Sequence, residues 1–167
     1  MKTNKGFSLI EMLVVIGVFS VLAIVSAQSI IVSLSGAKRS SSSTKVRENL
    51  EFAISTIERK IRNSQAISCV SSARVDYEDV NEATLGFECL DLTATRNGYL
   101  VARSATGSRN AITDNTIDIT SCAFTCTAAT GTVPPSLNIR LSAIDNASSG
   151  VQRGTATVNT KIFLRAY

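Results

Sequence analysis

One uncharged stretch near the start of the chain decides the fold. Residues 5–37 read KGFSLIEMLVVIGVFSVLAIVSAQSIIVSLSGA, and the 26 residues from Met12 to Ala37 include no charged side chain. As an α-helix these 26 residues would be about 39 Å long, which exceeds the ~30 Å hydrocarbon thickness of a bilayer. The stretch therefore predicts a membrane-spanning helix.

A secretory signal and a plain membrane anchor are the simpler explanations of this stretch. A secretory signal has a shorter apolar core and a small-residue cleavage site, which Ser26-Ala27-Gln28 does not supply. Neither explanation accounts for Glu11, which stands between apolar residues on both sides. A carboxylate deep in a bilayer costs about 2.5–3.5 kcal/mol on insertion scales, so we expect Glu11 to have a functional role and a cationic partner.

Residues 5–14, KGFSLIEMLV, resemble the processing site of type IV pilins and type II secretion pseudopilins. In that family a membrane-embedded prepilin peptidase cuts a short basic leader after a glycine and methylates the new N-terminal amine. The resemblance implies cleavage between Gly6 and Phe7, N-methylation of Phe7, and pairing of Glu11 with the N-terminal amine of a neighbouring subunit. The helix-kinking proline of many major pilins is missing from the matching neighbourhood, residues 26–29.

Charge pairing would make assembly of such subunits specific. In one helix Glu11 lies one turn from the new amine of Phe7, and both charges are costly in lipid. They neutralise each other when the amine of one subunit meets the carboxylate of another. Other axial registers leave a buried charge without compensation, so the pairing also fixes the register.

A second, amphipathic helical segment follows the apolar one. The serine run at residues 40–43 could be a linker, but we expect the helix to continue through it. Apolar residues then recur at helical spacing on one stripe that would pack on a sheet: Val46, Leu50, Ala53, Ile54, Ile57 and Ile61. Phe52 lies nearly opposite this stripe. It is either an isolated exposed residue or a contact with the next subunit.

From residue 83 onward the apolar residues alternate with period two, which predicts strands. Strands are expected around residues 85–89, at 99–103, from 117 to 126 with a bulge near Thr120-Ser121, at 137–143, and from 158 to the end at Tyr167. A turn region covers residues 91–98, and Pro134-Pro135 breaks the chain.

These patterns predict an α+β fold. A long N-terminal α-helix, with a transmembrane half and an amphipathic half, is packed on an antiparallel β-sheet head, as in the pilin fold. The expected divisions are a leader at residues 1–6, a transmembrane and assembly helix at 7–36, an amphipathic helix completing the head core at 37–67, and the β-sheet head at 68–167.

Four cysteines in an exported head favour disulfides. Three pairings are open; we favour Cys69 with Cys89 and Cys122 with Cys126. The second pair needs a turn, because residues four apart in a straight strand are ~13 Å apart. A four-cysteine zinc site is the alternative, although its ligands usually form two close pairs.

A polar cluster at residues 114–118 is a weak calcium candidate. Asp114, Asn115 and Asp118 could supply oxygen ligands, as in some relatives, but their spacing is not that of a regular calcium loop. We expect instead a turn with an Asx-type hydrogen bond.

Composition excludes several function classes. Histidine is absent and aromatic residues make up 5% of the chain, which removes Ser/His/Asp triads, Cys/His pairs and most aromatic nucleic-acid platforms. The net charge is +4, but residues 63–167 hold eight basic and nine acidic side chains, so a basic DNA-binding head is not expected. We expect no enzyme activity and no cofactor.

The expected function is that of a structural subunit, a minor pilin or minor pseudopilin. The resemblance implies as partners a prepilin peptidase, other pilin or pseudopilin subunits, an assembly platform membrane protein, and membrane lipid before assembly. It also implies an inner-membrane protein with an exported head, which then enters a type IV pilus or a type II secretion pseudopilus. The alternative is a membrane-anchored binding module, such as a competence-type minor pilin that captures DNA or a surface ligand.

Overall fold

The computed structural model describes residues 8–92, 98–130 and 133–164. The predicted cleavage position between Gly6 and Phe7 lies outside the described residues, as do most of the predicted turn at 91–98 and the expected end of the last strand at Tyr167. Among these residues, one α-helix, α1, spans Leu9–Arg62, and a 3-10 turn spans Gly150–Gln152. The described residues after α1 form eight strands: β1 Ala66–Ser71, β2 Arg74–Glu78, β3 Thr84–Leu90, β4 Tyr99–Arg103, β5 Arg109–Ala111, β6 Ile117–Thr127, β7 Ser136–Asp145 and β8 Thr155–Phe163.

The chain divides into two compact units, one ending at Lys38 and the other beginning at Arg39. The first unit contains the apolar part of α1. Its large apolar side chains are exposed all round the helix, from Leu9 to Leu34. A helix that is apolar on every side needs an apolar environment, and by length and composition this one can cross a membrane.

In the second unit, which we call the head, α1 packs one face against the sheets. All six residues of the predicted stripe are buried, and Ser42 is buried with them. They join one core with inward-facing strand residues such as Phe87, Ile119 and Leu141. The helix continues through the serine run, as expected.

Helix α1 ends at Arg62, five residues before the expected boundary at residue 67. The buried residue Ser64 ends the helix, because its N–H and its hydroxyl both donate to the carbonyl of Ile61, at 3.1 and 2.7 Å. Satisfying a terminal carbonyl in this way closes the last turn. Strand β1 then begins at Ala66.

The strands form two antiparallel sheets. The five-stranded sheet has the order β1-β2-β3-β4-β5, and the three-stranded sheet has the order β6-β7-β8. Strands were predicted where β3, β4, β6, β7 and β8 are found, whereas β1, β2 and β5 were not anticipated. The predicted bulge is confirmed, since the pairing of β6 with β7 shifts between Ile119 and Ser121. The shift lets Ile119 and Phe124, which have opposite parity, both point into the core.

The cysteines form two disulfides, but the favoured pairing is wrong. Cys69 is bonded to Cys126 and Cys89 to Cys122, with Cα–Cα distances of 5.7 and 6.5 Å. Cys122 and Cys126 lie four residues apart within the extended strand β6, so the turn that their pairing needed does not exist. Each bond instead joins the five-stranded sheet to the three-stranded sheet.

Candidate functional site

Glu11 lies in the first turn of α1. The N–H groups of Glu11 and Met12 both donate to the carbonyl of Ser8, at 3.1 and 3.2 Å, which starts the helix immediately before Leu9. The unpaired N–H groups of a helix N-terminus carry a partial positive charge, which favours a carboxylate in the first turn. That effect is modest, so it does not remove the cost of holding the carboxylate in lipid.

The surroundings of Glu11 are apolar and open. Its neighbours Leu9, Ile10 and Met12 are all exposed, Leu9 at 83%. Further along, the hydroxyls of Ser20 and Ser26 donate to the carbonyls of Ile16 and Leu22, at 2.7 and 2.8 Å. Both hydroxyls are thus satisfied within the helix, which suits an environment without water.

Within the head, a buried hydrogen-bond network joins Ser42 of α1 to Asp145 and Gly154. The Ser42 hydroxyl donates to Asp145 Oδ2 at 2.6 Å and accepts from the Gly154 N–H at 2.7 Å. Asp145 is only 3% exposed and also accepts from the Ser148 hydroxyl and the Ala147 N–H, at 2.8 and 2.9 Å. These hydrogen bonds, led by that of Ser42, hold the pKa of Asp145 below its usual value.

This network was not predicted from the sequence, although the alternating pattern of β7 indicated that Asp145 would be buried. Asp145 continues the inward-facing parity of Leu137, Ile139, Leu141 and Ala143 and is therefore directed into the core. Ser42 gave no such signal, because its partners are 103 and 112 residues away. Gly154 allows the contact, since a Cβ there would overlap the backbone of Ser42 and Ser43.

The weak calcium candidates form a hydrogen-bonded turn. Asp114 Oδ1 accepts from the N–H and the hydroxyl of Thr116, both at 2.7 Å, which confirms the predicted Asx-type turn and lowers the pKa of Asp114. The side-chain amide of Asn146 donates to the Asn115 carbonyl and to Asp118 Oδ1, both at 3.0 Å. Within residues 8–92, 98–130 and 133–164, no group of three His, Cys, Asp or Glu side chains could hold a metal ion.

The outward face of α1 in the head borders an open groove of about 390 Å³. Glu48, Asn49 and Phe52 line it from the helix, and residues 112–114 line it from the segment between β5 and β6. The Asp114 N–H donates to Asn49 Oδ1 at 3.1 Å and so ties the two walls together. The ring of Phe52 is 62% exposed at the edge of this groove.

Comparison with known proteins finds a similarity in the N-terminal part of the chain. No curated protein and no solved structure matches the chain. Residues 1–27 match the family model described as the prokaryotic N-terminal methylation motif. This range includes the predicted cleavage position and Glu11. The chain therefore carries, at the start of a long apolar helix, the processing signal of type IV pilins and pseudopilins.

Proposed function

We propose that the chain is a minor pilin or minor pseudopilin, a structural subunit that assembles into a type IV pilus or a type II secretion pseudopilus. The observation that carries the proposal is the placement of Glu11, an acid in the first turn of a helix whose next 26 residues are uncharged and whose large apolar side chains are exposed. The methylation motif covers the same residues and supports a pilin-like precursor.

In this proposal the leader at residues 1–6 is removed by a prepilin peptidase. Cleavage after Gly6 frees the amine of Phe7, which the peptidase then methylates, and this amine is a cation at the start of the mature chain. Before assembly, lipid surrounds the apolar side chains of α1, and the head is exported beyond the inner membrane. Assembly replaces lipid by the helices of other subunits, and an assembly platform membrane protein receives the processed subunit.

Pairing between subunits would offset the energetic cost of both charges in an apolar environment. The Glu11 carboxylate of one subunit accepts a hydrogen bond from the protonated N-terminal amine of another, and two charges that are costly in lipid neutralise each other. Residues 63–167 hold eight basic and nine acidic side chains, and this balance does not favour DNA capture by that part of the head.

The mature N-terminus tests the processing step. We expect mass analysis of the chain from its native membrane to find N-methylated Phe7 as the first residue. A Gly6→Val variant should keep the leader, whereas Lys5→Arg should be processed normally and serves as the matched control. A working chain that still begins at Met1 would refute the proposal.

Assembly is tested at Glu11. Glu11→Gln removes the charge with little change of shape, so the variant should insert and lose its leader but enter sheared filaments at one tenth of the parental level or less. Ser20→Ala, a small change in the same helix, should assemble normally. Equal incorporation of Glu11→Gln and the parent would remove the charge pair from the mechanism.

A further inference from the structure

We propose that the groove beside Phe52 is a second assembly contact, which receives a lysine or arginine side chain from α1 of a second copy of this chain. The inference rests on the proposed function, because side-by-side assembly of subunits is what brings a second α1 to this face. It adds a contact on the head to the charge pair at the N-terminus.

The groove has an apolar part that the head itself does not cover. Phe52 lies on the side of α1 opposite the buried stripe, and its ring is 62% exposed. Ile112, which packs partly on the core, forms apolar wall on the other side. The hydrogen bond between Asn49 and the Asp114 N–H fixes the distance between the two walls. The groove is therefore preformed by the fold of the head.

Two carboxylates at this groove set the chemistry of the occupant. Glu48 takes part in none of the ion pairs found among the described residues. The Asp114 carboxylate is held in place by Thr116. A cation beside these groups can lie against the face of an aromatic ring, an interaction worth ~0.5–1 kcal/mol at exposed sites. An aromatic ring flanked by carboxylates therefore favours a basic side chain with an apolar stem.

The complementary charge is on α1 itself, which is why we assign the occupant to a second copy. Residues 38–62 carry seven basic and three acidic side chains. Two of the acids are used in ion pairs along the helix, Glu51 with Arg47 and Glu58 with Arg62. Lys45 already acts electrostatically on Asp114 of its own chain. In the part of the chain that the structure describes, four other cations of this segment have no ion-pair partner: Lys38, Arg39, Arg59 and Lys60.

Photo-crosslinking in the full-length chain tests the contact. Phe52 is replaced by benzoylphenylalanine, so that an aromatic ring remains at that position. Crosslinking is carried out in native membranes and in sheared filaments. The same probe at Val70, a head residue that is 57% exposed on β1, is the matched control. We expect at least tenfold more crosslinked dimer from position 52, with the linked peptide mapping to residues 38–62 of the second copy.

Each other result overturns the inference. A yield no higher than that at Val70 shows that Phe52 is only an isolated exposed residue. A link to a different subunit shows that the groove binds another partner. A link to the second copy outside residues 38–62 shows that the basic helix is not the occupant.

Charge reversal supplies the second test. Glu48→Lys should lower incorporation into filaments at least threefold, and co-expression with Arg59→Glu or Lys60→Glu should restore it and identify the paired cation. Unchanged incorporation of Glu48→Lys would contradict the contact. Removal of the leader at Gly6, read by mass in the same samples, separates the two proposals: if it fails in the parent chain, the proposed function fails, whereas a missing crosslink in a processed, assembled chain refutes only the groove contact.

Discussion

Asp145 shows how one buried carboxylate can be stable without an ion pair. Three hydrogen bonds reach it, from Ser42, Ser148 and the Ala147 N–H, and none of their donors carries a formal charge. A buried carboxylate is tolerated when its lone pairs are satisfied, and the cost of removing one donor exceeds the net value of an ordinary hydrogen bond. Substitutions that remove one of the donors to Asp145 are therefore expected to destabilise the head.

Ser42→Ala should destabilise the head by about 1.5–3 kcal/mol, because it removes a donor to a charged group and leaves the Gly154 N–H without its acceptor. Urea unfolding of the detergent-solubilised chain measures the loss. Ser41→Ala, one position away and exposed, should change stability by less than ~0.5 kcal/mol. Equal effects of the two substitutions would mean that the network contributes nothing.

The same carboxylate predicts an acid dependence. Its pKa in the folded head is lower than the ordinary value of 3.8, so the folded state binds the proton less readily than the unfolded chain does. The resulting stability is present above pH 3.8 and is lost as the pH falls through the folded pKa. Asp145→Asn should flatten the fall in unfolding free energy between pH 5 and pH 2, relative to the parent. An unchanged slope would assign the acid sensitivity to other carboxylates.

At the scale of elements, prediction succeeded where the pattern was local. Helix α1 has an uncharged half and a regular apolar stripe, and β7 alternates from Leu137 to Ala143, so both follow from spacing alone. Strand β5 has only three residues, all exposed, and β1 has no residue buried enough to mark a face. Strands held mainly by pairing with their neighbours leave little trace in the hydrophobic pattern.

The edge strand β8 offers a test of register. The bonds from the Asp145 N–H to the Gly154 carbonyl and from the Leu164 N–H to the Pro135 carbonyl, both 3.0 Å, fix the hydrogen-bonded pairs between β7 and β8. Even-numbered residues of β8 therefore bond to β7, and odd-numbered residues direct their N–H away from it.

Thr160→Pro should therefore cost about 1–3 kcal/mol, since it leaves the carbonyl of Ile139 on β7 without its donor. Asn159→Pro should lose less than half as much, because a proline is tolerated where the N–H faces away from the partner strand. Thermal unfolding of both variants decides the matter. The reverse order of stability would mean that β7 and β8 pair one residue out of the register described.

The disulfides could not be paired from the sequence, because each connects strands of different sheets. Non-reducing peptide mapping should find Cys69 linked to Cys126 and Cys89 linked to Cys122. Replacing either pair by alanines should cost about 2–4 kcal/mol, because it frees loops of 57 and 33 residues in the unfolded chain. A disulfide-linked peptide containing Cys69 and Cys89 would contradict the two bonds between the five-stranded and the three-stranded sheets.

At the scale of the whole molecule, α1 belongs to two environments. Its residues up to Lys38 form one unit, exposed on every side, and its remaining residues complete the core of the other. The sequence marks this division by the change from an uncharged run to an amphipathic stripe at about residue 38. It does not mark Ser42, which is the first buried position of the helix and lies inside a run of four serines.

The division predicts where the chain can be cut. A fragment of residues 39–167 retains every buried residue of α1, including Ser42, and should be a soluble, folded head with both disulfides. A fragment of residues 45–167 keeps the apolar stripe but leaves Asp145 without its Ser42 donor and the Gly154 N–H without an acceptor. The shorter fragment should therefore unfold at a lower urea concentration, and its unfolding free energy should be smaller by about 1.5–3 kcal/mol. If both fragments are equally stable, the apolar stripe alone holds α1 to the strands of the head, and the Ser42 network does not contribute to the stability of the head.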